Sequence, residues 1–268
     1  MQIHYHQRTF ALLEVKPVID DHLLDLLQYY EKHYNISLPL AVREWYSIDG
    51  SVQILNRYSN GDVALDLEEI GHSMENRSGY RYWDFQNQDM IPIMIENQAS
   101  FLWAIHLNGS DDPPVGYWDE DDNWSLCSST FSSFIEERIW EHLYWGEDCV
   151  ILSESGDIDR KQLSDISSNM IGDAYEITLD SVFHIHSGKK HIIIFKNDNK
   201  RCRWTIRATS AEDLFISIES ILKVVPLQDK LAIRYPFGMG CAENVIRKIH
   251  YHYNQRPDQD DAVRGQLE

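Results

Sequence analysis

The chain has 268 residues, of which 43% are apolar and 25% charged, and its formal net charge is −19. This length and composition are typical of a soluble globular protein with one large domain or two ordinary ones, and they exclude a fibrous or wholly disordered chain. No apolar run follows a basic start at the N-terminus and no stretch approaches 18 apolar residues, so we expect neither export nor membrane spanning, and a cytoplasmic location.

The negative charge is concentrated in the first half of the chain. Residues 1–146 contain 8 Lys and Arg against 24 Asp and Glu, a balance of −16, whereas residues 147–268 come to −3. The electrostatic field of this negative charge repels phosphate backbones, which disfavours nucleic-acid binding. The same field attracts a basic protein partner. Solubility alone is the competing interpretation of the same charge.

The first half is predicted as two helices, a sheet and a third helix. After an extended opening, apolar residues at helical spacing predict a helix over 17–34 and a second helix from Pro39 to a C-cap at Asp49-Gly50. The spacing then changes toward two residues, which predicts strands. These strands are VQIL (52–55), VALDL (63–67), and the segments 91–96, 101–107 and 115–118. Thr130 is predicted to cap a closing helix that ends at Gly146.

The second half begins with a polar, weakly periodic boundary over 147–169. Three strands and a helix are predicted to follow it, at 174–185, 191–195, 203–207 and 212–222. We therefore expect an α+β fold, with a twisted, mostly antiparallel sheet flanked by helices and a C-terminal β-β-β-α extension or second small domain. The expected divisions are a domain over 1–148, a β-rich region over 149–256 and a disordered polar tail over 257–268.

An acidic run between two tryptophans, WDEDDNW (118–124), is the most conspicuous local feature. Asp119, Asp121 and Asn123 have the spacing of an EF-hand loop, but Trp124 stands where that loop needs glycine and Thr130 where it needs a closing glutamate. A hairpin tip with exposed carboxylates and partly exposed tryptophans is therefore expected instead. The candidate partner-binding residues are Asp111, Asp112, Trp118, Asp119, Glu120, Asp121, Asp122 and Trp124.

Histidines are the next candidate metal ligands. His184 and His186 share one face of a predicted strand, and His191 follows across the turn, a pattern that suits a metal but is also common on a solvated strand face. The four cysteines include no C-x-x-C pair and are expected to be reduced thiols. Phosphate-binding loops and known nucleophile motifs are absent from the sequence, so we assign no catalytic residue, cofactor or metal.

Three segments of the first half carry a family resemblance: LPLAVREWYSIDG (38–50), IPIMIENQASFLWAIHLNGSDDPPVGYWDEDDNW (91–124) and TFSSFIEERIWEHLYWG (130–146). Together they resemble the SUKH superfamily, the group of fungal Smi/Knr-type cell-wall-synthesis regulators and bacterial immunity proteins. The resemblance covers about residues 20–146 in the family's order. Ala99 departs from it, because many members have glycine there.

The resemblance implies an α+β domain without catalytic residues. It also implies one of two roles: an immunity protein that binds a cognate toxin, often a nuclease, or a scaffold in the cell's own signalling. Carboxylates that take the place of phosphates would suit the basic site of a nuclease. The leading hypothesis is therefore an immunity protein against a basic toxin, with a scaffold or regulator as the alternative and a metal-dependent enzyme in the C-terminal half as the third.

Overall fold

The computed structural model divides into two compact units, residues 1–143 with 178–180 and residues 144–177 with 181–268. It describes residues 3–75, 90–119, 124–143, 149–156, 158–169, 175–179, 182–187, 190–196, 201–208, 210–225, 232–234, 247 and 251. The predicted end of the closing helix at Gly146 and the polar tail over 257–268 lie outside these residues.

Six helices are described in the first unit. They are α1 (Gln7–Leu13), α2 (Asp21–Tyr34), α3 (Leu40–Tyr46), α4 (Ser51–Arg57), α5 (Leu67–Glu75) and α6 (Phe131–Leu143). Its strands are β1 (Val63–Ala64), β2 (Met90–Ile95), β3 (Phe101–His106), β4 (Val115–Asp119) and β5 (Trp124–Ser128). The five strands pair in chain order and all pairs are antiparallel, so the predicted α+β class with an antiparallel sheet is confirmed.

The core of this unit lies between the helices and the sheet. Trp45 of α3, Met94 of β2, Ile105 of β3 and Phe134 of α6 are all at most 1% exposed. Full burial of such a side chain contributes roughly 1.5 to 3 kcal/mol each. Arg138 of α6 lies over the Trp103 ring at 4.6 Å, so a cation–π contact adds to the packing of α6 on the sheet.

A buried carboxylate holds the N-terminal segment against α3. Glu44 is 2% exposed, and its two oxygens accept the backbone N–H groups of His4, Tyr5 and His6 at 2.6 to 2.8 Å. His6 is fully buried beside Trp45 and donates from Nε2 to the Ala41 carbonyl at 3.0 Å. The segment that the sequence predicts as extended in fact continues into helix α1.

The described residues of the second unit include antiparallel strands and the helices α7 and α8. The elements are β6 (Cys149–Gly156), α7 (Arg160–Asn169), β8 (Val182–Ser187), β9 (Lys190–Lys196), β10 (Arg201–Ala208), α8 (Ala211–Leu222) and β11 (Ala232–Arg234). A further strand, β7 (Tyr175–Leu179), precedes β8 in the chain. The sheet order is β8-β9-β10-β6-β11, and α8 packs on β10 and β9.

Two predicted strands of the first unit are wrong. VQIL (52–55) lies within α4, where Ser51 and Leu55 are buried one turn apart, and Gly50 begins this helix at φ +73° instead of ending α3. VALDL (63–67) contributes only the two residues of β1 before α5 starts at Leu67. Periodicity over so few residues does not separate helix from strand, and packing against the sheet decided the outcome.

Two expectations for the second half also need correction. The polar segment 147–169, predicted as a boundary without named elements, holds β6 and α7. The single strand expected over 174–185 is two strands, β7 and β8. Helix α7 was missed because its apolar residues are few: Leu163 and Ile166 are the ones that it buries. The remaining predicted strands and the helices at 17–34 and 212–222 are confirmed, with shifted ends.

Candidate protein-interaction surface

The acidic run joins the two strands of a hairpin. β4 and β5 pair with Gly116 opposite Leu126 and Trp118 opposite Trp124, so the predicted hairpin is confirmed up to its last strand pair. Glu120, Asp121 and Asp122 lie outside the described residues. For Trp118, Asp119 and Trp124 the structure describes the backbone alone. The proposed exposure of these side chains therefore stays a prediction.

Two further turns lie at the same end of the sheet as Asp119. Phe101 pairs with Asp119, so the β2–β3 turn over 96–100 and the end of β4 adjoin each other. Val63 pairs with Ile95, which brings the segment before β1 to this end as well. We call this end of the sheet, with residues 60–62, 96–100, 119 and 124, the hairpin end; residues 120–123 connect 119 to 124 in the sequence.

Carboxylates at the hairpin end shape its turns. Glu96 accepts the N–H groups of Gln98 and Ser100 at 2.9 and 3.3 Å, and Ala99 takes a left-handed conformation at φ +57°. Asp62, 8% exposed, accepts the Asn97 N–H at 3.0 Å. Asn97 donates from its amide to the Asn60 carbonyl at 2.8 Å, which ties the two turns together. The family-like Glu96-Asn97-Gln98 segment thus builds the turn itself.

Asp111 and Asp112 lie at the opposite end of β4 from Asp119. A five-residue strand separates its first and last residues by roughly 14 Å, so these two acids and the hairpin end form different places on the sheet. Asp112 accepts from the Ser132 N–H at 3.0 Å and from the Ser132 hydroxyl at 2.5 Å, which anchors the first turn of α6. Asp111 uses its carbonyl to accept the Ala41 N–H at 2.8 Å, and its side chain is exposed.

Charges near Asp111 act on the N-terminal segment. Burial and then the carboxylates of Asp111, Asp112 and Glu44 raise the pKa of the Tyr5 phenol. At neutral pH this phenol therefore keeps its proton among three acids. Sequence reasoning missed this cluster, because Glu44 and Asp111 are far apart in the chain and carry no shared local signal.

The histidines of the second unit lie on neighbouring strands. His186 of β8 pairs with His191 of β9, and His184 lies two residues earlier on β8, so the backbone places all three on one sheet face. Their side chains are not described. Within the part of the chain that the structure does describe, no three His, Cys, Asp or Glu residues form a group that could hold a metal ion. Of the described cysteines, Cys127 is a buried thiol.

The first unit is an α+β domain in which helices pack on a five-stranded antiparallel sheet. Residues 24–137 match the model of the SMI1 / KNR4 family (SUKH-1), which supports membership of the SUKH superfamily for this part of the chain. No match was found among curated proteins, and none among solved structures. The superfamily is generally non-enzymatic, and it points to protein–protein interaction as the general role. None of the described helices is both long enough and apolar enough to cross a membrane.

Proposed function

We propose that this protein is an immunity protein that binds and neutralises a basic toxin, with a nuclease as the expected class. The observation that carries the proposal is the balance of −16 over residues 1–146, the part of the chain that contains the SUKH match. A nuclease holds a phosphate backbone with basic residues, and an inhibitor gains affinity and association rate by presenting carboxylates to them.

The hairpin end is the proposed contact surface. Asp62 and Glu96 are held by backbone N–H groups there, and Asp119 at the end of β4 is followed in the chain by Glu120, Asp121 and Asp122. Turns that are already ordered lose little conformational freedom on binding, which favours affinity. In this proposal Trp118 and Trp124 are aromatic anchors beside the acids. Asp111 contributes negative charge at the other end of β4, and Asp112 is a structural residue.

The test is association with the product of the neighbouring reading frame, followed by the rate of binding at several salt concentrations. Replacing Asp119, Glu120, Asp121 and Asp122 by Asn or Gln should slow association and flatten its dependence on salt. A matched control removes four exposed charges elsewhere, at Asp49, Glu68, Asp165 and Glu212. Equal slowing in both variants would show that the hairpin end is not part of the interface. If the product of the neighbouring reading frame does not bind, that result would count against the immunity role.

A scaffold or regulator of the cell's own machinery is the alternative role. It would use the same kind of surface and differ only in its partner. The gene neighbourhood separates the two proposals, because an immunity gene accompanies the gene of the toxin that it neutralises.

A metal-dependent activity in the second unit is the other candidate, and the placement of His184, His186 and His191 on one face favours it. Two histidines two residues apart on a strand and a third across the ladder are a suitable set for zinc. Metal analysis of untagged protein tests this candidate. Less than stoichiometric metal, unchanged after incubation with Zn²⁺ and dialysis, would exclude it.

A further inference from the structure

Helix α2 presents a line of exposed residues opposite its buried side. Leu27 is fully buried, and Tyr30 packs so closely on Gly71 of α5 that an added Cβ would lie 2.7 Å from the Tyr30 ring. These contacts on the buried side of α2 therefore fix its position in the first unit. Its exposed line, at steps of four residues, is Asp21, Asp25, Tyr29 and His33.

Tyr29 is unusual on this line because it is a large ring left in solvent. It is 57% exposed, and among the described residues one other large aromatic side chain is exposed, Tyr251. The ring stacks on His33 with centroids 5.5 Å apart and planes 15° apart, and it meets Tyr30 edge to face at 5.6 Å. A ring that is already oriented loses little rotamer freedom when a partner covers it, which is the property of an interface anchor.

The charges beside Tyr29 suit a guanidinium group. Asp25 lies one helical turn before Tyr29, with Cβ atoms about 6 Å apart in this geometry, and Asp21 lies one turn further. A planar guanidinium can stack on the ring and bind a carboxylate through two N–H groups at once, whereas a lysine ammonium cannot do both. The molecule itself contains the stacking half of this arrangement, with Arg57 5.5 Å over the Tyr58 ring.

We propose that the Asp25–Tyr29–His33 face of α2 is a docking surface for an arginine side chain of a basic protein partner. The choice of a basic partner rests on the proposed function, through the balance of −16 over residues 1–146. Lys32 is the cation on the exposed side of the same helix, and it weakens the attraction for arginine without abolishing it.

The experiment measures binding of hexa-arginine and hexa-lysine peptides to the full chain by calorimetry at about 0.15 M salt. General attraction to the acidic protein acts on both peptides, so the ratio of their affinities isolates the guanidinium. We expect hexa-arginine to bind about two- to fivefold more tightly per occupied site. Tyr29→Ala and Tyr29→Leu should bring this ratio close to one, whereas the matched control Tyr251→Ala should keep it.

Charge variants give the second arm of the experiment. Asp25→Asn should weaken hexa-arginine binding more than Asp49→Asn, which removes an equal charge from another exposed position, and Lys32→Gln should strengthen it. A ratio that Tyr29→Ala leaves unchanged, or equal weakening by the two Asp variants, would overturn the proposal. Failure of the neighbouring gene product to bind would instead overturn the immunity role, because the peptides do not depend on that partner.

Discussion

Ala99 occupies a backbone conformation that favours glycine. Its φ of +57° places Cβ close to the following carbonyl, at a cost of about 1 to 2 kcal/mol, and the Glu96 carboxylate and carbonyl hold the turn in this shape. Ala99→Gly removes this cost, but glycine also raises the conformational entropy of the unfolded chain, which lowers the free energy of unfolding by about 0.4 to 1 kcal/mol. We therefore expect the variant to be more stable by about 0.5 to 1 kcal/mol, measured by urea unfolding.

The control for this prediction is another alanine in an ordinary conformation. Ala11 is exposed within α1, so Ala11→Gly should destabilise the protein by about 0.5 to 1 kcal/mol. If both variants, or neither, were more stable than the parent protein, the left-handed backbone of Ala99 would not be what decides whether glycine raises or lowers the free energy of unfolding.

His6 should make the stability of the fold sensitive to acid. Burial lowers its pKa from 6.5 to about 4, although the hydrogen bond to the Ala41 carbonyl acts in the opposite direction. Below pH 6.5 His6 is protonated in the unfolded chain, whereas in the folded chain it becomes protonated only near pH 4. The free energy of unfolding should therefore be highest above pH 6.5 and fall by on the order of 3 kcal/mol as the pH drops to about 4.

The measurement is urea unfolding at about pH 7.5 and about pH 4.5, on either side of this titration, for the parent chain and two variants. His6→Gln keeps an N–H donor for Ala41 and removes the titrating ring, so its loss of stability in acid should be smaller. His22→Gln, at an exposed position, controls for the removal of one histidine. An equal loss in both variants would assign the acid sensitivity to other groups.

At the scale of elements, the first turn of α6 depends on a side chain from the loop before β4. Asp112 accepts two hydrogen bonds from Ser132, and Thr130 accepts the Ser133 N–H at 3.2 Å. Removing a buried or half-buried acceptor costs about 1 to 3 kcal/mol. Asp112→Ala should lower the free energy of unfolding by that amount, measured by thermal or urea denaturation.

Asp111 is the matched control, because it is the neighbouring residue and its carboxylate is exposed. The hydrogen bond described for Asp111 is made by its backbone carbonyl, which an alanine would keep. Asp111→Ala should change stability by less than about 0.5 kcal/mol. Comparable effects at the two positions would mean that the contact with Ser132 is not what stabilises α6.

Helix starts show how far local sequence predicts an element. Asp66 and Glu69 exchange backbone N–H bonds at 2.9 Å at the start of α5, and Asp159 and Gln162 do the same at the start of α7. Both are capping boxes that can be read from the chain, three residues apart. The sequence prediction relied on periodicity and did not use this signal, so its strand VALDL ended at Leu67, the first residue of α5, and the segment that holds α7 was predicted as a boundary.

At the scale of the molecule, the first unit carries a core of its own. Its main buried cluster is drawn entirely from residues between Phe10 and Ile139. We propose that the predicted domain over 1–148 folds independently. A chain of these residues should unfold in one cooperative transition with near-UV circular dichroism of packed tryptophans, and a non-cooperative transition would contradict this.

The sequence alone determined the class of fold, the antiparallel strands β2 to β5, the closing helix α6 and the acidic character of the first half. These properties follow from composition, from long periodic segments and from turn residues, all of which act locally. Family membership was also readable, because its motifs lie in order along the chain.

Only the tertiary structure decided which polar residues support the fold and which remain available to a partner. It assigned Asp112 to α6 and Glu44 to the N-terminal segment, and it separated Asp112 from Asp119 although seven positions part them in the chain. It also left Tyr29 exposed while it buried Trp45 and Trp103. The physical reason is that long-range hydrogen bonds and packing depend on where strands and helices meet, which no local pattern of residues specifies.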